Sequence, residues 1–163
     1  MKRLCLLVVL ATALCACSSP QQTRKIEPST QMSSDQSINY IEEMGFTNIS
    51  NVNGTNPYTT YTLSPTSAAD PMIYNQWMYA WADPADFVNS EINVYEYLAT
   101  KDNKDYQVYT LVSSNDLLGG YYFEEGTDTT NISNATILNT NTPMLSLEDF
   151  KEAWNNLFDI ELN

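Results

Sequence analysis

Histidine is absent from the chain, cysteine occurs three times, glycine five times, and only seven lysines and arginines stand against twenty acids. Without an imidazole, His-assisted nucleophiles and the usual zinc sites have nothing to build on. Scarce glycine leaves no phosphate-cradling loop, since Gly119-Gly120 is an isolated pair, and no Ser-x-x-Lys occurs to support serine-lysine chemistry. The shortage of cations excludes nucleic acid as a partner, because neutralising phosphates is what drives such binding. A membrane-crossing run is also missing: Leu4 to Leu14, eleven residues, covers at about 1.5 Å per residue only half of a hydrocarbon core of roughly 30 Å.

What is present at the start has the build of an export signal. Lys2 and Arg3 form a positive n-region, Leu4 to Leu14 an apolar h-region, and small residues follow. Its end, Leu14-Cys15-Ala16-Cys17, resembles the lipobox of bacterial lipoproteins, with Leu14, Ala16 and Cys17 on the pattern and Cys15 where Ala, Ser or Thr is usual. The resemblance covers residues 1–17 alone. It implies a signal peptide over 1–16 and a diacylglycerol thioether on Cys17, which would be the bond to the lipid bilayer. Ser18 in place of Asp implies delivery to the outer membrane in a two-membrane host, and otherwise residence on the outer face of the cytoplasmic membrane. Ordinary secretory cleavage after Ala11-Thr12-Ala13, or a free Cys-x-Cys pair, are the alternatives.

Consequences follow from the cut. Cys5 and Cys15 leave with the signal and Cys17 carries lipid, so the remaining chain has no disulfide and must rest on its core. Losing Lys2 and Arg3 leaves five basic residues against twenty acids, a net charge of −15, with Lys101, Lys104 and Lys151 the only cations past Lys25. That acidity gives solubility and avoidance of an anionic surface; an acidic binding face is the narrower reading.

Residues 17–34 are polar and contain Pro20 and Pro28, a composition too poor in apolar surface to order itself, and they are expected to be a tether. Residues 35–163 suit one domain. Ser34 or Asp35 can cap a helix carrying Ile38, Ile41 and Met44, ended by Gly45. Phe46 to Val52 and Tyr58 to Leu63 read as strands, with Asn53-Gly54 as a hairpin signal between them. Glu91 to Thr100 and Tyr106 to Val112 form a second hairpin around residues 101–105, and Tyr121 to Phe123 after Gly119-Gly120 extend it to a meander. A loop is expected over 126–142. Ser146 then caps a helix with Leu147, Phe150, Trp154, Leu157 and Phe158 at helical spacing. The fold class expected is α+β, a small antiparallel sheet with an N-terminal and a C-terminal helix packed on it.

The richest aromatic stretch runs from Tyr74 to Trp81. If helical, it puts Tyr74, Trp77, Met78 and Trp81 on one face, either as core or as a stacking platform for a sugar ring or an extended peptide. Trp77, Trp81, Tyr121 and Tyr122 are the candidate ligand-binding residues. Adjacent acids (Glu42-Glu43, Glu124-Glu125, Glu148-Asp149) read as solvated faces rather than as a glycosidase pair. Asp102-Asn103-Lys104-Asp105 lacks the glycine and distal glutamate of a calcium loop. No metal and no cofactor are expected. The expected function is a membrane-anchored, non-enzymatic domain that binds an envelope protein or a glycan; the alternatives are a carboxylate-dependent hydrolase of envelope polymers or a structural part of an envelope complex.

Overall fold

A computed structural model describes residues 29–139 and 145–162, so the signal segment, Cys17 and residues 18–28 lie outside the described residues. In chain order the elements are α1 (Ser29–Glu43), β1 (Thr47–Asn51), β2 (Thr59–Thr62), α2 (Pro65–Ala68), α3 (Pro71–Trp77), β3 (Glu91–Lys101), β4 (Lys104–Ser113), β5 (Asp116–Glu124), β6 (Thr136–Ile137) and α4 (Leu147–Phe158), with 3-10 turns at Pro84–Phe87 and Ile132–Asn134. The fold is α+β, with six antiparallel strands and four helices among the described residues.

Alternation along β3 decides the layering. Ile92 and Val94 point to one face while Tyr95, Tyr97 and Ala99 point to the other, and all five are buried, so the sheet is covered on both sides. One core gathers Ile41, Phe46, Tyr95, Tyr97 and Val108 beneath α1. The other joins Ile92, Val94 and Leu111 to Leu63, Trp77 and Trp154 from the α2, α3 and α4 side. Trp154 locks α4 onto α2 by donating its indole Nε1–H to the Ala68 carbonyl at 3.0 Å.

Helix α1 begins at Ser29, ahead of the expected cap, and so takes in residues 29–34 that composition assigns to the tether. The reason is tertiary. Ser34 and Ser37 are buried small residues facing the sheet, where Ser37 Oγ accepts from Thr110 Oγ1 (3.0 Å), Ser34 Oγ from Asn51 Nδ2 (3.3 Å) and the Ser34 carbonyl from the Tyr97 hydroxyl (3.4 Å). Satisfied polar contacts of this kind let an otherwise polar segment pack closely. Gly45, at φ +87°, ends the helix in the left-handed region as expected, and Lys101 Nζ donates to the Met44 carbonyl at 2.9 Å.

Two strand expectations change. Asn53-Gly54 does not join a hairpin, because β1 and β2 do not pair with each other; both pair with β3, β1 opposite Tyr97–Thr100 and β2 opposite Glu91–Val94. They are two pieces of one edge strand. Val52 N donates to the Glu96 carbonyl (3.0 Å) and Tyr58 N to that of Val94 (2.7 Å), so residues 53–57 leave and rejoin the edge within one repeat of β3. Gly119 and Gly120, expected to precede a strand, lie inside β5. A Cβ on Gly119 would fall 2.4 Å from Ala80 Cα, and glycine is what lets the two backbones approach closely enough for the Ala80–Gly119 bridge. The meander β3-β4-β5 and helix α4 with Ser146 as its cap are as expected, whereas β6 falls in the segment expected to be loop.

Candidate functional site

Asp70 caps α3 by accepting from Met72 N at 2.8 Å, and Pro71 occupies the first helical position. The helix stops at Trp77, so the expected stripe is broken between Trp77 and Trp81. The chain then runs along the sheet, where Trp81 N and Ala82 N both donate to the Leu118 carbonyl (2.9 and 3.1 Å). Trp77 is core: it is 1% exposed and its Nε1–H donates to the Tyr61 hydroxyl at 2.9 Å. Trp81 is half-buried and packs on Tyr40 of α1 with ring centroids 5.2 Å apart.

The two tryptophans meet again in one place. A cleft of about 630 Å³ opens between residues 78–85 and α4, with Trp77, Met78 and Trp81 on one wall and Leu147, Phe150 and Leu157 on the other. Leu145, Leu147 and Leu157 are 60%, 61% and 37% exposed around it, an unusual grouping of large apolar side chains on an acid-rich surface. Among the described residues Asp83 is the one charged residue lining the cleft; its Oδ1 accepts from Ala85 N at 2.9 Å and fixes the 3-10 turn that forms the rim. The apolar spacing of α4 is legible in the sequence as core, but α2 and α3 cover only its Trp154 and Phe158 side fully. Leu147 and Leu157 are the functional candidates that spacing alone misassigns.

Tyr121 and Tyr122 lie elsewhere, on opposite faces of β5 as neighbours on a strand must. Tyr122 is half-buried against Phe46 and Tyr106 on the α1 side. Tyr121 is buried on the other, its ring stacked on Tyr109 at 5.1 Å. Burial pushes the Tyr121 and Tyr109 phenols well above the ordinary range, and the Glu96 carboxylate, which accepts from the Tyr109 hydroxyl at 3.0 Å, adds to the effect at Tyr109.

No family model, curated protein or solved structure matches the chain.

Other chemistry can be located directly. Among the described residues, no three or more His, Cys, Asp or Glu side chains come close enough to hold a metal ion, and no helix is long and apolar enough to cross a membrane. Glu42-Glu43, Glu124-Glu125 and Glu148-Asp149 are all exposed, and Glu124 pairs with Lys104 at 2.8 Å. Asp105 of the calcium-like run accepts instead from Thr100 Oγ1 at 2.9 Å.

Proposed function

We propose that the chain is an exported lipoprotein, anchored to a bilayer through acylated Cys17, whose folded domain works by non-covalent binding and takes an apolar segment of an envelope protein into the cleft between α4 and residues 78–85. The observation that carries this reading is the set of exposed leucines, Leu145, Leu147 and Leu157, around a cleft with Trp81 in its wall. Large apolar side chains left in water around a concave surface favour an apolar occupant, and tryptophan is a common anchor residue at binding surfaces. Hydrolysis by paired carboxylates is the weaker reading, since among the described residues Asp83 is the single carboxylate lining the cleft and two are needed about 5 to 10 Å apart. In a two-membrane host the expected place is the outer membrane, otherwise the outer face of the cytoplasmic membrane. Acyl chains there give each buried methylene about 0.8 kcal/mol, enough with two or three chains for stable anchoring.

Three measurements test it. Cys17→Ala is expected to abolish labelling by radioactive fatty acid and to leave an uncleaved precursor; normal labelling removes the anchor from the proposal. For the cleft, a hydrophobic dye that fluoresces in apolar sites is expected to bind the wild type, and Leu147→Asp with Leu157→Asp to lose that binding at unchanged melting temperature. A photo-crosslinking residue at position 157 in intact cells is expected to yield a discrete protein adduct that one at exposed Ser50 does not. Equal dye binding and equal adducts in these pairs would refute the cleft.

A further inference from the structure

A second cavity, of about 420 Å³, lies on the same side of the sheet but between α3 and the loop through Thr129 and Ile132. Its floor is a row of tyrosines across the strands: Tyr58, just before β2, sits 5.9 Å from Tyr109 on β4, which sits 5.1 Å from Tyr121 on β5. The row descends from solvent to core, since Tyr58 is 51% exposed, Tyr109 half-buried and Tyr121 4% exposed. We propose that this pocket binds a neutral sugar ring of a glycan, stacked on Tyr58 and Tyr109 and hydrogen-bonded to Gln76.

Gln76 is the decisive residue. It lines the pocket from α3, is 3% exposed, and its Oε1 has no hydrogen-bond partner, while its amide group faces the Tyr121 hydroxyl. Leaving one end of a buried amide unpaired carries a desolvation cost that a ligand group can recover. A hydroxyl both donates and accepts, so it satisfies that end whichever way round the amide stands. Asn75, Thr129 and Thr130 supply further polar groups at the wall. Among the described residues no charged side chain lines the pocket, and the nearby Glu96 carboxylate is engaged by the Tyr109 hydroxyl. A phosphate, a carboxylate or an ammonium group would therefore enter uncompensated, at a desolvation cost that a neutral polyol avoids. The combination of aromatic faces for the apolar side of a ring with a few placed polar groups for its hydroxyls is how small-molecule pockets obtain orientation, and the volume falls in their usual range of about 300 to 1,000 Å³.

This inference stands apart from the cleft. Its test is titration calorimetry on the full chain, in a detergent without sugar groups, against cellotriose, maltotriose and chitotriose, with glucuronate and choline as charged probes. At least one neutral trisaccharide is expected to saturate below about 10 mM, with Tyr58→Ala, an exposed position that leaves the core intact, weakening it at least about ten-fold. Gln76→Leu, similar in volume, is expected to lose binding by a like factor while the chain still melts cooperatively well above the titration temperature, since the change also takes a partner from the buried Tyr121 hydroxyl. Leu147→Asp with Leu157→Asp should leave sugar affinity unchanged. No saturation by any of the three trisaccharides, affinity indifferent to Tyr58→Ala and Gln76→Leu, or Tyr58-dependent binding of choline or glucuronate in their place would each overturn the proposal.

Discussion

Trp77 and Trp81, four residues apart, show how far a single side chain's fate depends on its backbone. Trp77→Ala is expected to cost about 3 to 5 kcal/mol, since it empties a packed site between Phe87 and Trp154 and strips the Tyr61 hydroxyl of its donor. Trp81→Ala should cost roughly half as much because the ring is only half-buried. Chemical denaturation checks both, and acrylamide quenching should find Trp81 accessible and Trp77 shielded. Helical spacing in the sequence places Trp77 in the core correctly. It misplaces Trp81, because the end of α3 is set by the close Ala80–Gly119 approach, a contact between residues nearly forty positions apart that no local pattern carries. Tyr74 offers the opposite case to Trp77. Its hydroxyl is buried with no partner beside Phe150 and Trp154, so Tyr74→Phe removes an unpaid desolvation and is expected to raise the unfolding free energy by about 1 kcal/mol or more. A lower denaturation midpoint in that variant would show that the hydroxyl is satisfied in solution.

Among elements, the β3-β4 hairpin is the most legible, because period-2 alternation on both sides and Asp102-Asn103 between them act together. Both turn residues sit at positive φ, +51° and +60°, as a two-residue hairpin turn of matching twist requires. Asn103→Gly should therefore stabilise the protein by a few tenths to about 1 kcal/mol, and Asn103→Val should destabilise it by about 1 to 2 kcal/mol. Thermal melts of the two variants moving in the same direction would contradict this. Asn53-Gly54 carries a similar local signal, and Gly54 is indeed at φ +65°, yet the flanking strands pair with β3 instead. The dipeptide reports a turn; which strands become neighbours is decided by a third segment forty residues on. In α4, Ser146 and the acid three residues later were readable, and Ser146 Oγ does accept from Asp149 N at 3.1 Å. Which leucines of α4 stay uncovered was not, since that depends on how much of the helix α2 and α3 reach.

For the molecule as a whole, the missing histidine and the buried phenols set the response to pH. No side chain has an ordinary pKa between 6 and 8, so stability is expected to be flat there. Burial raises Tyr61, Tyr109 and Tyr121 above the unfolded value near 10. The unfolded chain then loses these protons first as pH rises, so their contribution is complete below about pH 10 and declines above it. Phenolate absorbance recorded with denaturation should show these tyrosines ionising only as the protein unfolds; a full phenolate signal from a still-folded chain near pH 10 would rule this out. The divided edge strand has a further consequence wherever copies of the chain come together. Continuous sheet edges recruit one another and polymerise, but here one edge is cut into pieces of five and four residues by the excursion at 53–57, and β6, on the opposite edge, is only two residues long. Among the described residues a second chain finds no long row of free edge amides to copy, so concentrated copies can lie side by side without pairing edge to edge.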